Sequence, residues 1–121
     1  MPERRGREHH MERLADALRD EIGTILEGEL ADPRIGLVTV SEVRLSPDGR
    51  SARVFVAISG DDTQLRDTMA GIESAKNFIS HELTERLQLR HAPELHFVID
   101  QSEQYGARID QLLDRVKKRK G

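Results

Sequence analysis

The chain contains no cysteine. That absence removes disulfides, thiolate nucleophiles and thiolate metal ligands together. No apolar run approaches the roughly 20 residues needed to cross a bilayer, and residues 1–10 lack the apolar stretch of a signal peptide. A cytoplasmic protein with no membrane contact is expected. Aromatic residues are few, with three Phe, one Tyr and no Trp. The terminal lysines therefore have no neighbouring rings on which bases could stack.

The motifs of common chemistries are missing as well. Neither a Walker phosphate loop nor a dinucleotide fingerprint occurs. Ser41 and Ser59 have no Gly-x-Ser-x-Gly context, and no Ser, His and Asp set can be nominated. His81-Glu82 starts like a zinc-protease motif, but Glu85 stands where the second histidine belongs. His9 and His10 are adjacent, and neighbours on a helix diverge by about 100°, so they do not share one ion easily. Asp61-Asp62 is explained by helix capping and a favourable dipole charge. No catalytic residue, metal ligand or cofactor is expected.

What remains is a chain of 121 residues, enough for one domain with one core. Its net charge of −3 and pI near 6.0 do not favour nucleic acid on whole-molecule electrostatics. The cations are unevenly placed, however. Arg4, Arg5 and Arg7 crowd one end, and Arg115, Lys117, Lys118, Arg119 and Lys120 the other. Taken singly, charged termini are most simply solvated ends.

Met11, Leu14, Ala15, Leu18, Ile22, Ile25, Leu26 and Leu30 recur at helical spacing and predict a long first helix that ends at Asp32-Pro33. Leu37 to Leu45 is rich in β-branched residues, and Ser46-Pro47-Asp48-Gly49 reads as a turn. In the next strand Ala52, Val54, Val56 and Ile58 alternate against Arg53, Phe55 and Ala57. The two strands form an antiparallel hairpin. Past the loop Ser59-Gly60-Asp61-Asp62-Thr63, which offers an Asp or Thr cap to a helix beginning near Gln64, Leu65, Met69, Ile72, Ala75, Ile79, Leu83 and Leu87 make a second helical stripe. Pro93 then opens a third strand with Leu95, Phe97 and Ile99 on one face. Ser102 caps a last helix that buries Ile109, Leu112, Leu113 and Val116.

The second stripe is too long for one straight helix. Residues 64–90 would span about 39 Å, against a radius of gyration of about 14 Å for a compact chain of this size. A break is expected at Ala75-Lys76-Asn77, with Asn77 in left-handed backbone angles. Such a break would expose a fresh helix N-terminus able to hold a phosphate. On the stripe alone, a continuous helix with Asn77 at its surface fits equally well. The expected fold is α+β, with three strands and the helices on one face, in the order α-β-β-α-kink-α-β-α. Residues 1–10 read as a flexible N-terminal arm, 11–116 as the domain and 117–121 as a basic C-terminal tail.

Several segments together resemble bacterial ribosome-binding factor A. They are Arg13-Leu14, Glu21-Ile22 and Ile25-Leu26; Asp32-Pro33-Arg34-Ile35-Gly36; Val43 to Asp48 with Ala52, Val54 and Val56; Ala75-x-Asn77-Phe78-Ile79; and Leu89-Arg90, Pro93-Glu94-Leu95-x-Phe97 and Asp100-x-Ser102. The resemblance covers residues 7 to 116 and implies a KH-like (type II) domain. It implies a non-enzymatic assembly factor that binds the 30S subunit and 16S rRNA in late maturation, aids 16S rRNA 5′-end processing and matters in the cold. A ribosome-assembly GTPase would help release it, and the protein would be a monomer. The family carries an Ala-x-Gly kink where this chain has Asn77, and Ser80 stands where relatives are often basic. The expected RNA-binding residues are Lys76, Asn77, Ser80, Arg86, Arg90, Lys117, Lys118, Arg119 and Lys120. A small α+β regulatory or dimerisation module without RNA binding is the alternative, for which an acidic pI and scarce aromatics are natural.

Overall fold

The computed structural model describes residues 2–100, with side chains from residue 9 onward. The last helix expected from Ser102, with Ile109, Leu112, Leu113 and Val116, and the basic tail Lys117 to Lys120 lie outside the described residues. Helix α1 (Pro2–Thr24) begins well before Met11, where the apolar stripe starts. It passes into a single π turn at Ile25–Glu29, closed by the Leu30 N–H donating to the Ile25 carbonyl at 3.2 Å. Leu30 is already extended, two residues before Asp32-Pro33.

Strands β1 (Val38–Leu45) and β2 (Ser51–Ile58) form the antiparallel hairpin, and β3 (Glu94–Ile99) joins the other edge of β2 in parallel. The turn between β1 and β2 is closed by the Ser46 N–H donating to the Ser51 carbonyl at 2.9 Å. Asp48 accepts from the Ser46 hydroxyl and, at 3.0 Å, from the Arg50 N–H. The Ser46 hydroxyl and then the Arg50 N–H hold the Asp48 carboxyl below the usual carboxylate range. Gly49 follows with φ of 72°, a left-handed angle that glycine takes without steric cost.

A β-bulge at Ser41 shifts the register between Val40 and Glu42. Strict alternation from Val38 and Val40 would turn Glu42 into the core. With the extra residue, Val38, Val40 and Val43 are buried while Glu42 faces out. On β2, Ala52, Val54, Val56 and Ile58 point inward, and on β3 Leu95 and Phe97 do so.

Helices α2 (Asp62–Ser74) and α3 (Lys76–Leu87) complete the layer over that face. Asp61 caps α2 in a reciprocal capping box: its carboxylate accepts the Gln64 N–H, and the Gln64 side chain accepts the Asp61 N–H, both at 2.8 Å. Leu18, Ile22, Ile25, Ile72, Ile79 and Leu83 are fully buried against Val54, Val56 and Leu95. One core therefore lies between a three-stranded sheet and its helices, in the KH-like α+β arrangement.

Candidate nucleic-acid interface

The helical stripe over residues 64–90 is interrupted at Ala75. Ala75 has φ −88° and ψ −2°, and its N–H donates to the Gly71 and Ile72 carbonyls, both at 3.1 Å. The ladder resumes with the Ile79 N–H donating to the Ala75 carbonyl at 2.9 Å. The break thus falls where the spacing predicts it. Its backbone is different from the expectation.

Asn77 is not left-handed: it sits in the first turn of α3. The bend is made by Ala75 in the bridge region of backbone space, which any L-residue can enter. Among the described residues the left-handed non-glycine residue is Gln88, with φ of 54°, at the far end of α3. Since Asn77 is helical and exposed, Asn77→Gly should destabilise the protein by a few tenths of a kcal/mol, and Asn77→Ile should be as stable as the parent or slightly more so. A urea melt showing isoleucine much worse than glycine would restore the left-handed angle.

The first turn of α3 presents Lys76, Asn77 and Phe78. Lys76 is partly covered and lies 3.5 Å from Glu73, a short-range pair across the break. Asn77 is exposed, and Ser80 shares its face at the i, i+3 spacing. Phe78 is 46% exposed, a large ring held in solvent beside the helix start. Phe78 is not among the expected RNA-binding residues, although its place off the apolar stripe marks it in the sequence and helps to place the break.

The other expected cations are elsewhere. Asn77 and Arg86 are nine residues apart on one helix, about 14 Å along its axis. Arg86 donates to Glu29 and, at 3.4 Å, to Glu21, and lies 3.8 Å from Glu82. Glu29 foremost, with Glu21 and the nearby Glu82 charge adding to it, holds the guanidinium proton more tightly than usual. This arginine ties α3 to α1 and the π turn. It has no spare charge to offer a phosphate. Only its Glu82 partner, at i, i+4, was visible in the sequence.

Arg90 is exposed beyond the end of α3 and lines an open depression with Thr84, Glu85, Gln88 and Leu89. The structure therefore brings Lys76, Asn77 and Ser80 together at one end and leaves Arg86 and Arg90 at the other. Among the described residues no cluster of His, Asp or Glu is arranged to hold a metal ion.

The segment Asp32-Pro33-Arg34-Ile35-Gly36, noticed as a sequence signature, is a clamp. Both Asp32 carboxylate oxygens accept from the Arg34 guanidinium, at 2.7 to 3.2 Å, and one accepts the Arg34 N–H at 2.9 Å. The Arg34 side chain, and secondarily its N–H, holds the Asp32 carboxyl below the usual range. The buried Thr68 hydroxyl on α2 accepts the Gly36 N–H at 3.2 Å and donates to the Arg34 carbonyl at 3.4 Å.

These features have close counterparts. The profile of the Ribosome-binding factor A family matches residues 10–113. The ribosome-binding factor A of Koribacter versatilis is 56% identical over 118 residues, covering 98% of this chain and 96% of that protein. The crystal structure of ribosome-binding factor A from Thermus thermophilus aligns with TM-score 0.64 and 27% identity, over 74% of this chain and 94% of that one. A homology model of the Thermus thermophilus factor, fitted into the cryo-EM map of a complex of the 30S subunit with ribosome-binding factor A, aligns with TM-score 0.52 and 33% identity, over 75% and 91% of the two chains. With its sequence matched over nearly its whole length and its fold matched in solved relatives, this chain belongs to the ribosome-binding factor A family.

Proposed function

We propose that this protein is a non-enzymatic assembly factor that binds the 30S subunit and its 16S rRNA during late maturation. The observation that carries this reading is the break at Ala75, which opens the first turn of α3 beside Lys76, Asn77 and the exposed Phe78. A helix N-terminus offers unpaired N–H groups and a positive dipole end to a phosphate. An exposed ring beside it offers a base a stacking surface. The Thermus thermophilus relative in its 30S complex supports the choice of partner.

In this reading the factor helps 16S rRNA 5′-end processing without cleaving RNA, acts chiefly in the cold, and leaves with the help of an assembly GTPase. It works as a cytoplasmic monomer. Among the described residues no helix is long and apolar enough to cross a membrane. Lys117, Lys118, Arg119 and Lys120 add affinity by releasing counterions from phosphates and contribute little to the choice of site.

Sedimentation with purified small subunits, large subunits and intact ribosomes tests the proposal. The protein should travel with small subunits, and more with immature ones than with the 70S ribosome. About four phosphate contacts to single-stranded RNA would give a log–log salt slope of roughly −3. Equal binding to large subunits, or none to either, would overturn the reading.

A further inference from the structure

The sheet face turned away from the helices divides into two halves of different chemistry. Toward the turn between β1 and β2 it is charged: Arg44 stands opposite Arg53, Arg53 opposite His96, and Glu94 lies at the start of β3. Glu42 accepts from Arg44 at 3.0 Å, and the Arg44 guanidinium lies 5.1 Å from the Phe55 ring centroid. These contacts mark the border. Beyond it most outward residues are apolar.

Phe55 and Ala57 on β2 are half-buried, Val98 opposite Phe55 is 36% exposed, and Leu37, one residue before the inward-facing Val38, is 78% exposed. Leu37 is held beside the end of β2, its carbonyl accepting the Ser59 N–H at 3.1 Å. Thr39, opposite Ala57, is the polar residue among them. A sheet face left to water normally carries polar side chains in the outward positions. This end of it does not.

The chain leaves the sheet at the same end. β3 runs parallel to β2, and the Asp100 N–H donates to the Val56 carbonyl at 2.8 Å, which sets Asp100 beside Ala57. Residues 101–121 lie outside the described residues, and their sequence carries Tyr105, Ile109, Leu112, Leu113 and Val116 at helical spacing, with Asp110, Gln111 and Asp114 off that stripe. From β3 to β1 the patch crosses two strand spacings, about 10 Å. A helix rises by about 10 Å from Ile109 to Val116. The connection from Asp100 to Ile109 can reach about 30 Å when extended, more than a turn back over the face requires.

We propose that residues 102–116 fold back as an amphipathic helix that seats Ile109, Leu112, Leu113 and Val116 over Leu37, Phe55, Ala57 and Val98, adding a third layer to the fold. The short connection selects the chain's own segment over a second copy, because a stripe tethered this closely meets the patch at an effective concentration on the order of millimolar. The other helices, α3 among them, lie on the opposite face. The proposal therefore stands apart from the RNA-binding reading and neither needs nor alters it.

Because the chain has no cysteine, Gln111→Cys gives a single attachment point for a nitroxide on the side of the segment away from its stripe. In isotope-labelled full-length protein the amides of Leu37, Ala57 and Val98 should lose most of their intensity to this label, and those of Ile72 and Ile79, behind the sheet, much less. Leu37→Asp and, separately, Leu113→Asp should each restore the lost intensity while leaving the Ile72 and Ile79 resonances in place. The broadening should survive about 1 M salt, since the contact is apolar and ionic attraction is screened there. Broadening that is absent, centres on Phe78, vanishes in salt or persists in both aspartate variants overturns the proposal. So does equal broadening of an isotope-labelled, spin-free copy mixed with a spin-labelled one, which would mean that a second copy covers the face.

Discussion

Leu83→Ala is expected to destabilise the protein by about 2–5 kcal/mol, the range for emptying a fully packed leucine site. Leu83 is fully buried on the inner face of α3, one turn beyond the equally buried Ile79. Helix α3 touches the sheet, α1 and α2, so the void cannot be closed by moving one neighbour. The conspicuous ion pairs of Arg86 with Glu21, Glu29 and Glu82 lie at the surface, where solvent screens most of their attraction. Placement of the first turn of α3 therefore depends on Ile79 and Leu83 far more than on Arg86. Leu83→Ala should lower the urea midpoint steeply. Phe78→Ala, at an exposed ring, should leave it close to the parent value while weakening small-subunit binding. An alanine at Leu83 with an unchanged midpoint would mean that α3 is held by its surface contacts instead.

Much of the fold was legible because strand and helix periods were clean. The alternation on β2 fixed which face is buried, and Leu95, Phe97 and Ile99 did the same for β3. The loop Ser59 to Thr63 offered an Asp or Thr cap without choosing among them; the structure chooses Asp61, through the reciprocal Asp-x-x-Gln box with Gln64, and starts the helix at Asp62 instead of near Gln64. The bulge at Ser41 was not legible, since a single inserted residue leaves no composition signal and is revealed only by its pairing partner. The site was half legible. Its break fell within two residues of Asn77, but left-handed backbone is only one way to bend a helix. Ala75 bends it in the bridge region at negative φ, which needs no left-handed residue. Arg86 looked like a free cation because two of its three carboxylates, Glu21 and Glu29, are far away in sequence. Arg44 and Arg53 become neighbours only once the register is known.

Gly71→Val should destabilise the protein by about 1–3 kcal/mol, the usual cost of overpacking, and the loss should be partly recovered by Ile35→Ala in the same chain. Gly71 is buried on α2, in the turn after Thr68, where α2 meets the segment that leaves the first helix. A Cβ at this position would stand 2.6 Å from Ile35 Cγ1 and 3.4 Å from an Asp32 carboxylate oxygen. The first distance is below any real contact, so one side has to move. In a helix interior valine is favoured over glycine by only a few tenths of a kcal/mol, too little to offset the clash. The segment is not free to yield as a whole. Thr68 holds the Gly36 N–H, and Asp32 grips Arg34 through its side chain and N–H. Ile35 is only partly buried, so shortening it to alanine clears the space at modest cost. The double variant should then be more stable than the sum of the single losses allows, as expected for residues in direct contact. Additive losses in urea melts would show that Gly71 is needed for something other than the approach of Ile35.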